Sequence, residues 1–529
     1  TSNGYCVARG YQTFFPEFME VDPNDPTKMR AVPVPYQNHD FISEFFDVGN
    51  LRENSLNIST GSETTFLNAS VGRMDNTGIV PESGSNRTTL AFGGRAQLAN
   101  KLILSGNVNY VNTQQKSPPI NGSIFDGATN FGGLLEGSIF SRLFYLPRNY
   151  NLSDYPFELP GTGDNAFYRA LDNPYWLIKN NRYTSNLNRS FGNLTLSYDL
   201  MPWLNLTARG GINTWSEARR NFRRPGGVGD PNGGVWTDDL TNTEIDFNYL
   251  ATFQPNLEGD FGARVIVGFN QNQRQFNNRW VDGDNLIDKN LNNIKGTATQ
   301  SVREDNKEKQ RLYAVYTDIQ FDWKNWAYLG IVARNDWSST LPEGSNSYFY
   351  PGFNLALDLT EGFGLANNTL GFWKIRASWA QVGNEATPYQ TGTTYRFRTP
   401  FVTAGGSSVN RETLANIVGN PDLVNELTTE IEFGTDIRLF RNRIGLDVAW
   451  YKRNATDQIT EAQVPSSSGY FYAVVNAGEV ENKGWEVALD LTPVRLSNGF
   501  DWNMFFSFTK NKATIVDAGF ADDLFIGGP

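Results

Sequence analysis

The sequence predicts an all-β protein: a transmembrane antiparallel β-barrel with about sixteen strands visible, long extracellular loops and short periplasmic turns. Three observations carry that prediction. Strand-length segments alternate with period two between an apolar and a charged face. The connections joining them strictly alternate short and long, which gathers the turns at one end and the loops at the other. Aromatic residues crowd the short-turn end, where amphipathic rings sit at a membrane interface.

The middle of the chain shows the unit most completely. A tight connection, Trp323-Lys324-Asn325-Trp326, leads into a strand over 328–336, a polar tip over 337–347, and a returning strand over 348–359. After Thr360-Glu361-Gly362, another strand runs over 373–381. Leu329, Ile331, Ala333, Phe353, Leu355, Leu357, Ile375 and Ala377 share one parity; Arg334, Asp336, Asn354, Asp358, Lys374, Arg376 and Ser378 take the other.

In chain order, residues 1–50 read as an irregular lead-in, punctuated by proline from Pro16 to Pro35, and the barrel portion as 51–529. Leu56 and Ile58 then turn through Gly61-Ser62-Glu63 to Leu67, Ala69 and Val71, and a loop over 75–86 follows. Leu90, Phe92 and Leu98 turn through Ala99-Asn100-Lys101 to Leu102, Leu104, Val108 and Tyr110. The same arrangement recurs around Met201-Pro202-Trp203, around 255–260, at the Trp323 connection, around Phe440-Arg441-Asn442-Arg443 and around 493–499. Long connections are expected over 112–183, 215–243, 271–305, 384–426 and 454–477.

Bulk composition fits one membrane body better than several soluble domains. Among 529 residues, aromatics make up 14% with no composition break or Ser/Pro linker. No stretch approaches the roughly 18 apolar residues of a transmembrane helix, but barrel strands are only about 10 residues long and half polar. A net charge of −11 disfavours nucleic acid, which needs concentrated Lys and Arg. Cys6 is the only cysteine and His39 the only histidine, so no disulfide, imidazole pair, metal triad or Ser-His-Asp set can form within the chain.

The charged parity is too polar for a dry core. Arg209, Arg264, Arg334, Asp336, Asp358, Lys374, Arg376, Glu430, Glu432 and Asp436 fall on it, and burying such groups unpaired costs several kcal/mol each. That face therefore meets water, and these ten residues are the candidate lumen lining. Repeated soluble sandwiches with polar outer faces are the competing architecture, but they do not keep a polarised loop alternation over some 450 residues.

Several segments resemble the barrel of SusC/RagA-like TonB-dependent outer-membrane transporters. They are EFFDVG (44–49), SLNISTGSETT (55–65), MDNTGIV (74–80), YLGIVARNDWSST (328–340), KIRASWAQVGN (374–384), Asn420-Pro421-Asp422-Leu423 and VENKGWEVALDL (480–491), together with 350–359. The matches keep the family order over most of 40–512. The resemblance implies a barrel of 22 strands with a plugged lumen, TonB coupling through an N-terminal region absent from this chain, and a SusD-like surface lipoprotein lid. The carboxypeptidase-like domain, TonB box and plug have no counterpart here, so the chain is expected to be part of a longer protein.

Few residues point to catalysis. Glu430 and Glu432 are two apart on one face, about 7 Å by the strand rise, a spacing in the range of glycosidase dyads, but lumen-lining charge is the favoured reading. Asp22-Pro23-Asn24-Asp25 and Asp282-Gly283-Asp284-Asn285 read either as solvated turns or as loops able to hold Ca²⁺; no other cofactor is indicated. The loop over 112–183 is richer in rings than a water-exposed loop usually is, with Phe144, Tyr145, Tyr150, Tyr155, Tyr168, Tyr175 and Trp176 among amides and glycines. Two readings stay open: self-packing, or contact with a partner, sugar or peptide, with Tyr175 and Trp176 as anchors.

The expected function is active import of a nutrient, an oligosaccharide or peptide, energised through TonB. The alternative is a structural, non-transporting outer-membrane barrel subunit of a larger surface or secretion assembly. A soluble carbohydrate-binding β-repeat protein is a third reading.

Overall fold

The computed structural model describes residues 19–31, 38–118, 139–144, 146, 148, 150–153, 156–159, 161–166, 172–257, 259–402, 408–414 and 416–519. It opens on a hairpin of Met19–Asp22 (β1) and Asp25–Ala31 (β2), whose turn is closed by Asn24 N–H donating to Asp22 Oδ1 at 2.8 Å. That hydrogen bond makes the acidic segment at 22–25 an Asx turn. A short helix, Phe41–Phe45 (α1), follows, capped by Asp40, which accepts from Ser43 N.

The large sheet then begins with Asn50–Gly61 (β3), Thr65–Thr77 (β4), Gly84–Ala99 (β5) and Leu102–Ser117 (β6). Two helices, Ile139–Phe144 (α2) and Pro174–Asn180 (α3), stand in the next connection. The sheet resumes with Arg182–Met201 (β7), Leu204–Arg223 (β8), Gly234–Phe253 (β9), Phe261–Leu286 (β10) and Thr297–Trp323 (β11). Ala327–Ser338 (β12), Ser347–Asp358 (β13), the helical turn Leu359–Gly362 (α4) and Leu370–Asn384 (β14) come next. Three loop strands follow: Tyr395–Val402 (β15), Ser408–Leu414 (β16) and Ile417–Val418 (β17). The large sheet returns with Glu426–Leu439 (β18) and Ile444–Thr456 (β19). Loop strands Ile459–Gln463 (β20) and Tyr472–Asn476 (β21) precede the last pair, Glu479–Arg495 (β22) and Asp501–Asp517 (β23).

Sixteen of these strands form one antiparallel sheet in which every member lies beside its neighbour in sequence, with β3 and β23 at the edges. Register turns the period-two pattern into a surface. Ile58 lies opposite Ala69, then Phe92, Val108, Gly192, Ile212 and Ile245 on successive strands. Farther along, Leu329, Leu355, Ala377, Phe433, Trp450 and Trp485 form another such row. Rings stack along the rows, as Phe353 on Trp379 at 5.8 Å and Phe433 on Trp450 at 6.1 Å. Most of these large apolar side chains are exposed. A continuous apolar face of this extent is a lipid-facing surface. Among the described residues no helix is long and apolar enough to cross a membrane; strands do the crossing.

At the short-turn end the expected aromatic girdle is present. Trp203 stacks on Phe253, Phe261 on Trp323, and Trp323 and Trp326 meet at 5.2 Å, with Phe363 beyond. The turns are tight enough to force Lys324, Asn325, Phe440, Arg441 and Asn442 to positive φ.

Two expected long loops are corrected. Those over 215–243 and 271–305 shrink to 224–233 and 287–296, because β8 to β11 continue well past the lipid belt. There both faces meet water, so the hydropathy alternation fades while the backbone ladder runs on. The remaining loop-end segments form two small cores of their own. One gathers Phe41, Phe45, Ile139, Leu143, Tyr150, Leu152 and Trp176; the other Leu341, Tyr348, Leu423 and Val474.

Candidate functional site

The face opposite the apolar rows is the chemically rich one. Register places Arg209 opposite Asn248, Arg264 opposite Gln320, and Lys374 opposite Asp436. The ten residues of the expected lining all lie on strands at this parity.

Its centre is a linked network on β9, β11, β12 and β13. Asp336 is 3% exposed. It accepts from Arg334 Nε at 2.8 Å and from the Tyr350 hydroxyl. The Arg334 guanidinium lies over the Tyr316 ring at 5.5 Å, and Tyr316 O–H donates to Asn248 Oδ1 at 2.6 Å. Tyr348, stacked on Tyr350, donates to Glu385 Oε2 at 3.0 Å, and Gln310 Nε2 donates to the other oxygen. Charges so nearly buried survive because each has a partner.

A second cluster lies on β14, β18 and β19. Arg376 donates to both oxygens of Asp447 at 2.9 Å and to Glu432 Oε1 at 3.2 Å. Arg453 holds Glu430 at 2.6 Å, and Arg438 approaches Asp436 at 3.6 Å. Glu430 and Glu432 are therefore taken up by different arginines rather than poised as a catalytic pair.

Nearer the loops, Tyr183, Trp236 and Trp280 form a run of rings at 6.0 and 6.3 Å. Beside them Arg219 donates to Glu217 Oε2 at 2.8 Å and faces Asp238 at 3.5 Å, while Ser185 Oγ donates to the other Glu217 oxygen. None of this set was anticipated, because the segment read as loop. Trp215, Glu217, Arg219, Asn221 and Arg223 share one parity, but Arg220 and Phe222 on the other break the alternation that would mark a strand. Asp447, Arg453, Tyr316, Tyr350 and Glu385 were missed because pairing across strands needs register, which no local pattern supplies.

Three expectations are corrected by geometry. Asp358 caps α4, accepting from Glu361 N at 3.1 Å and from the Thr360 hydroxyl, so its carboxylate is spent on a turn. Tyr150, expected as a partner or substrate contact, and Trp176, expected as an anchor, are 2% and 1% exposed inside the loop's own core, with Trp176 Nε1 donating to Gly163 O at 3.0 Å. A large ring in a loop is more stable packed than hydrated. Segment 282–285 lies within β10, where Asp282 is held by Arg303 and Asp284 by Arg223. Tyr175 is partly buried against Phe45 and Phe157. Phe144 stands 72% exposed, and Tyr145, Tyr155 and Tyr168 lie outside the described residues. His39 packs beside Glu44 at 3.7 Å. Among the described residues no cluster of His, Cys, Asp or Glu has metal-site geometry.

Comparison with known proteins agrees with this arrangement. The family model described as TonB dependent receptor-like, beta-barrel, matches residues 121–529. TonB-dependent receptor P39 of Formosa agariphila is 27% identical over 501 residues, 90% of this chain and 44% of its own length. TonB-dependent receptor P3 of the same organism is 23% identical over 507 residues, 92% of this chain and 48% of its own. The chain thus spans about half the length of the curated relatives it matches. Among solved structures, the RagAB peptide transporter superposes with a TM-score of 0.76 at 19% identity, covering 96% of this chain and 54% of that one. The ferric citrate transporter FecA gives 0.53 at 9% identity, covering 89% and 58%.

Proposed function

Since the chain belongs to the TonB-dependent receptor-like β-barrel family of the bacterial outer membrane, we propose that its protein actively imports a nutrient, an oligosaccharide or a peptide, energised through TonB. The observation that carries this is the pairing of faces. The same sixteen strands present a continuous apolar surface on one side and a charged, ring-studded one on the other. A wall of that kind separates lipid from a water-filled path. Arg209, Arg264, Arg334, Asp336, Lys374, Arg376, Glu430, Glu432 and Asp436 would line it. Tyr and Trp rings beside paired charges suit a substrate with both stackable and hydrogen-bonding groups.

The long-loop end would face outward and seat a SusD-like surface lipoprotein. Phe144, Ile287, Tyr389, Tyr395 and Phe471 are exposed there and supply apolar contact area. The RagAB structure is that of a peptide transporter by its own description, which supports nutrient transport in kind.

The test is uptake by cells carrying the full-length gene. Labelled oligosaccharides or peptides should enter in wild-type cells and fail to enter when either this gene or tonB is deleted. Uptake unchanged by both deletions, with a surface assembly lost, would favour the structural barrel instead. Tagging the full-length protein and purifying it in mild detergent should recover a surface lipoprotein in near-equal amount.

A further inference from the structure

The apolar face ends toward the long loops, and it does not end in the same way on every strand. On β5 to β10 the first residues past the apolar run are neutral: Thr88, Asn112, Ser190, Thr214, Thr243 and Gln271. On β4 and β11 they are arginines already engaged, Arg73 with Asp75 at 2.7 Å and Arg311 with Gln273 at 3.2 Å. On β19, β22 and β23, three strands side by side, they are lysines. Going toward the loops, Trp450 gives way to Lys452, Trp485 to Lys483, and Phe508 to Lys510 and Lys512.

Register gathers these side chains. Lys452 lies opposite Lys483 and Lys483 opposite Lys512, while Lys510 lies opposite Trp485. Neighbouring strands are about 5 Å apart, so flexible lysine stems can bring several ammonium groups onto one ligand. The row of Lys452 runs back through Ile431, Trp379, Phe353 and Ile331. The tilt of the strands therefore carries it out of the hydrocarbon at Lys452. The lysines stand at the depth of lipid head groups, directly above rings of the kind that mark an interface.

Pairing inside the protein leaves most of this charge unanswered. In the next row Glu481 accepts from both Lys452 and Lys483 at 2.7 Å. Those two lysines keep 40% and 48% of their side chains exposed, so each has N–H donors to spare. Glu479, farther toward the loops, accepts from Asn454 Nδ2 at 2.7 Å. Lys510 and Lys512 are exposed, and their ammonium groups have no hydrogen bond or ion pair among the described residues. Glu481 offsets only one of the four lysines.

We infer that this patch binds a lipid whose head group carries two phosphates, with its acyl chains lying on the rings below. The depth of the lysines puts lipid phosphates, rather than a soluble anion, beside them. An excess of cations this large is more than a single phosphodiester offsets. Glu481 holds Lys452 and Lys483 in place, so part of the site is organised before the lipid arrives. Trp485 and Phe508, 50% and 58% exposed, supply the apolar seat. Nothing in this depends on what crosses the lumen, because the patch stands on the opposite face.

The test uses full-length protein in detergent, with bound lipid counted by native mass spectrometry. The probes are tetraoleoyl cardiolipin, which carries two phosphates, dioleoyl phosphatidylglycerol, which carries one, and the zwitterion dioleoyl phosphatidylethanolamine. Wild type should retain cardiolipin several-fold better than phosphatidylglycerol, and the zwitterion least. Lys483→Gln with Lys510→Gln and Lys512→Gln leaves Lys452 balanced by Glu481, so cardiolipin retention should fall to the level of the zwitterion. Lys307→Gln with Lys309→Gln, on the outer face of β11, should leave all three lipids unchanged. Excess inorganic phosphate should not displace bound cardiolipin. Heat-modifiable migration on gels verifies that each variant is folded. Equal retention of the three lipids by wild type, a preference that survives the triple substitution, an equal loss in the β11 variant, or displacement by inorganic phosphate alone would each overturn the proposal.

Discussion

Arg376 and Asp447 grip each other through two parallel hydrogen bonds of 2.9 Å across an intervening strand. The strand between them is β18, and the residue opposite Arg376 there is Gly434. A Cβ at Gly434 would stand 2.4 Å from Arg376 Nε. The absence of a side chain on one strand is therefore what lets the outer two be tied together.

Gly434→Val should displace the guanidinium and strand Asp447 and Glu432 without their donor. For a pair this exposed the loss is modest, about 1 kcal/mol. Asp447→Asn in the same background should add little further loss. Thermal unfolding of the four proteins in detergent gives the coupling, and fully additive losses would mean that Gly434 does not make room for the pair.

The apolar rows predict a parity rule. Leu355→Arg or Ile375→Arg should cost roughly 2–4 kcal/mol near the midplane, because a cation is placed in lipid. Asn354→Arg, one residue away on the polar face, should cost far less. Equilibrium unfolding from lipid vesicles measures all three, and equal penalties would contradict the assignment of the faces.

Trp176 predicts a separable loop core. Trp176→Ala should cost about 3–5 kcal/mol, as truncation of a buried aromatic does. That loss should fall on the loop, leaving the sheet intact. Hydrogen exchange should rise around α1 and α3 and stay unchanged in β18 and β19. Phe144→Ser, by contrast, should weaken lipoprotein co-purification without altering exchange elsewhere.

Glu82 gives a pH dependence. The hydrogen bond and charge of Lys116 hold its carboxyl below the usual value of 4.5. A depressed folded-state pKa contributes stability that is complete above 4.5 and lost as pH falls through the lower folded value. The pair is exposed, so its contribution is under about 1 kcal/mol. Exchange in the 78–83 turn should rise below pH 4.5 in wild type, and Glu82→Gln should remove that pH dependence.

The barrel was legible wherever the two strand faces meet different solvents. Leu355 beside Asn354, or Ile375 beside Arg376, announces a strand because lipid and water select opposite residues at alternate positions. The same strands became illegible once both faces met water. Thr297 to Asp305 reads as part of a polar loop, yet it runs antiparallel to β10 in register apart from one bulge. The charged face was legible as a face but not as a set of bonds, because the partner of Arg376 lies 71 residues away and is fixed by register. The rings of 112–183 were legible as a cluster, but amino-acid identity could not separate Trp176, turned inward, from Phe144, turned outward.

The neighbour-to-neighbour order of the sheet carries a consequence for how the molecule is made. Every strand of the sixteen finds its partner in the next stretch of sheet-forming chain, with the widest detours at 118–181 and 385–425. Loop closure is cheap for such pairings, so the wall can grow one hairpin at a time. At each stage the newest strand is a live edge, with donors and acceptors waiting for the next. A defect in β12 or β13 would therefore halt growth at a half-built wall rather than loosen a finished one. Slowed insertion, added to any loss of equilibrium stability, is then the expected damage from a mid-chain substitution, and the rate of heat-modifiable folding into vesicles measures it.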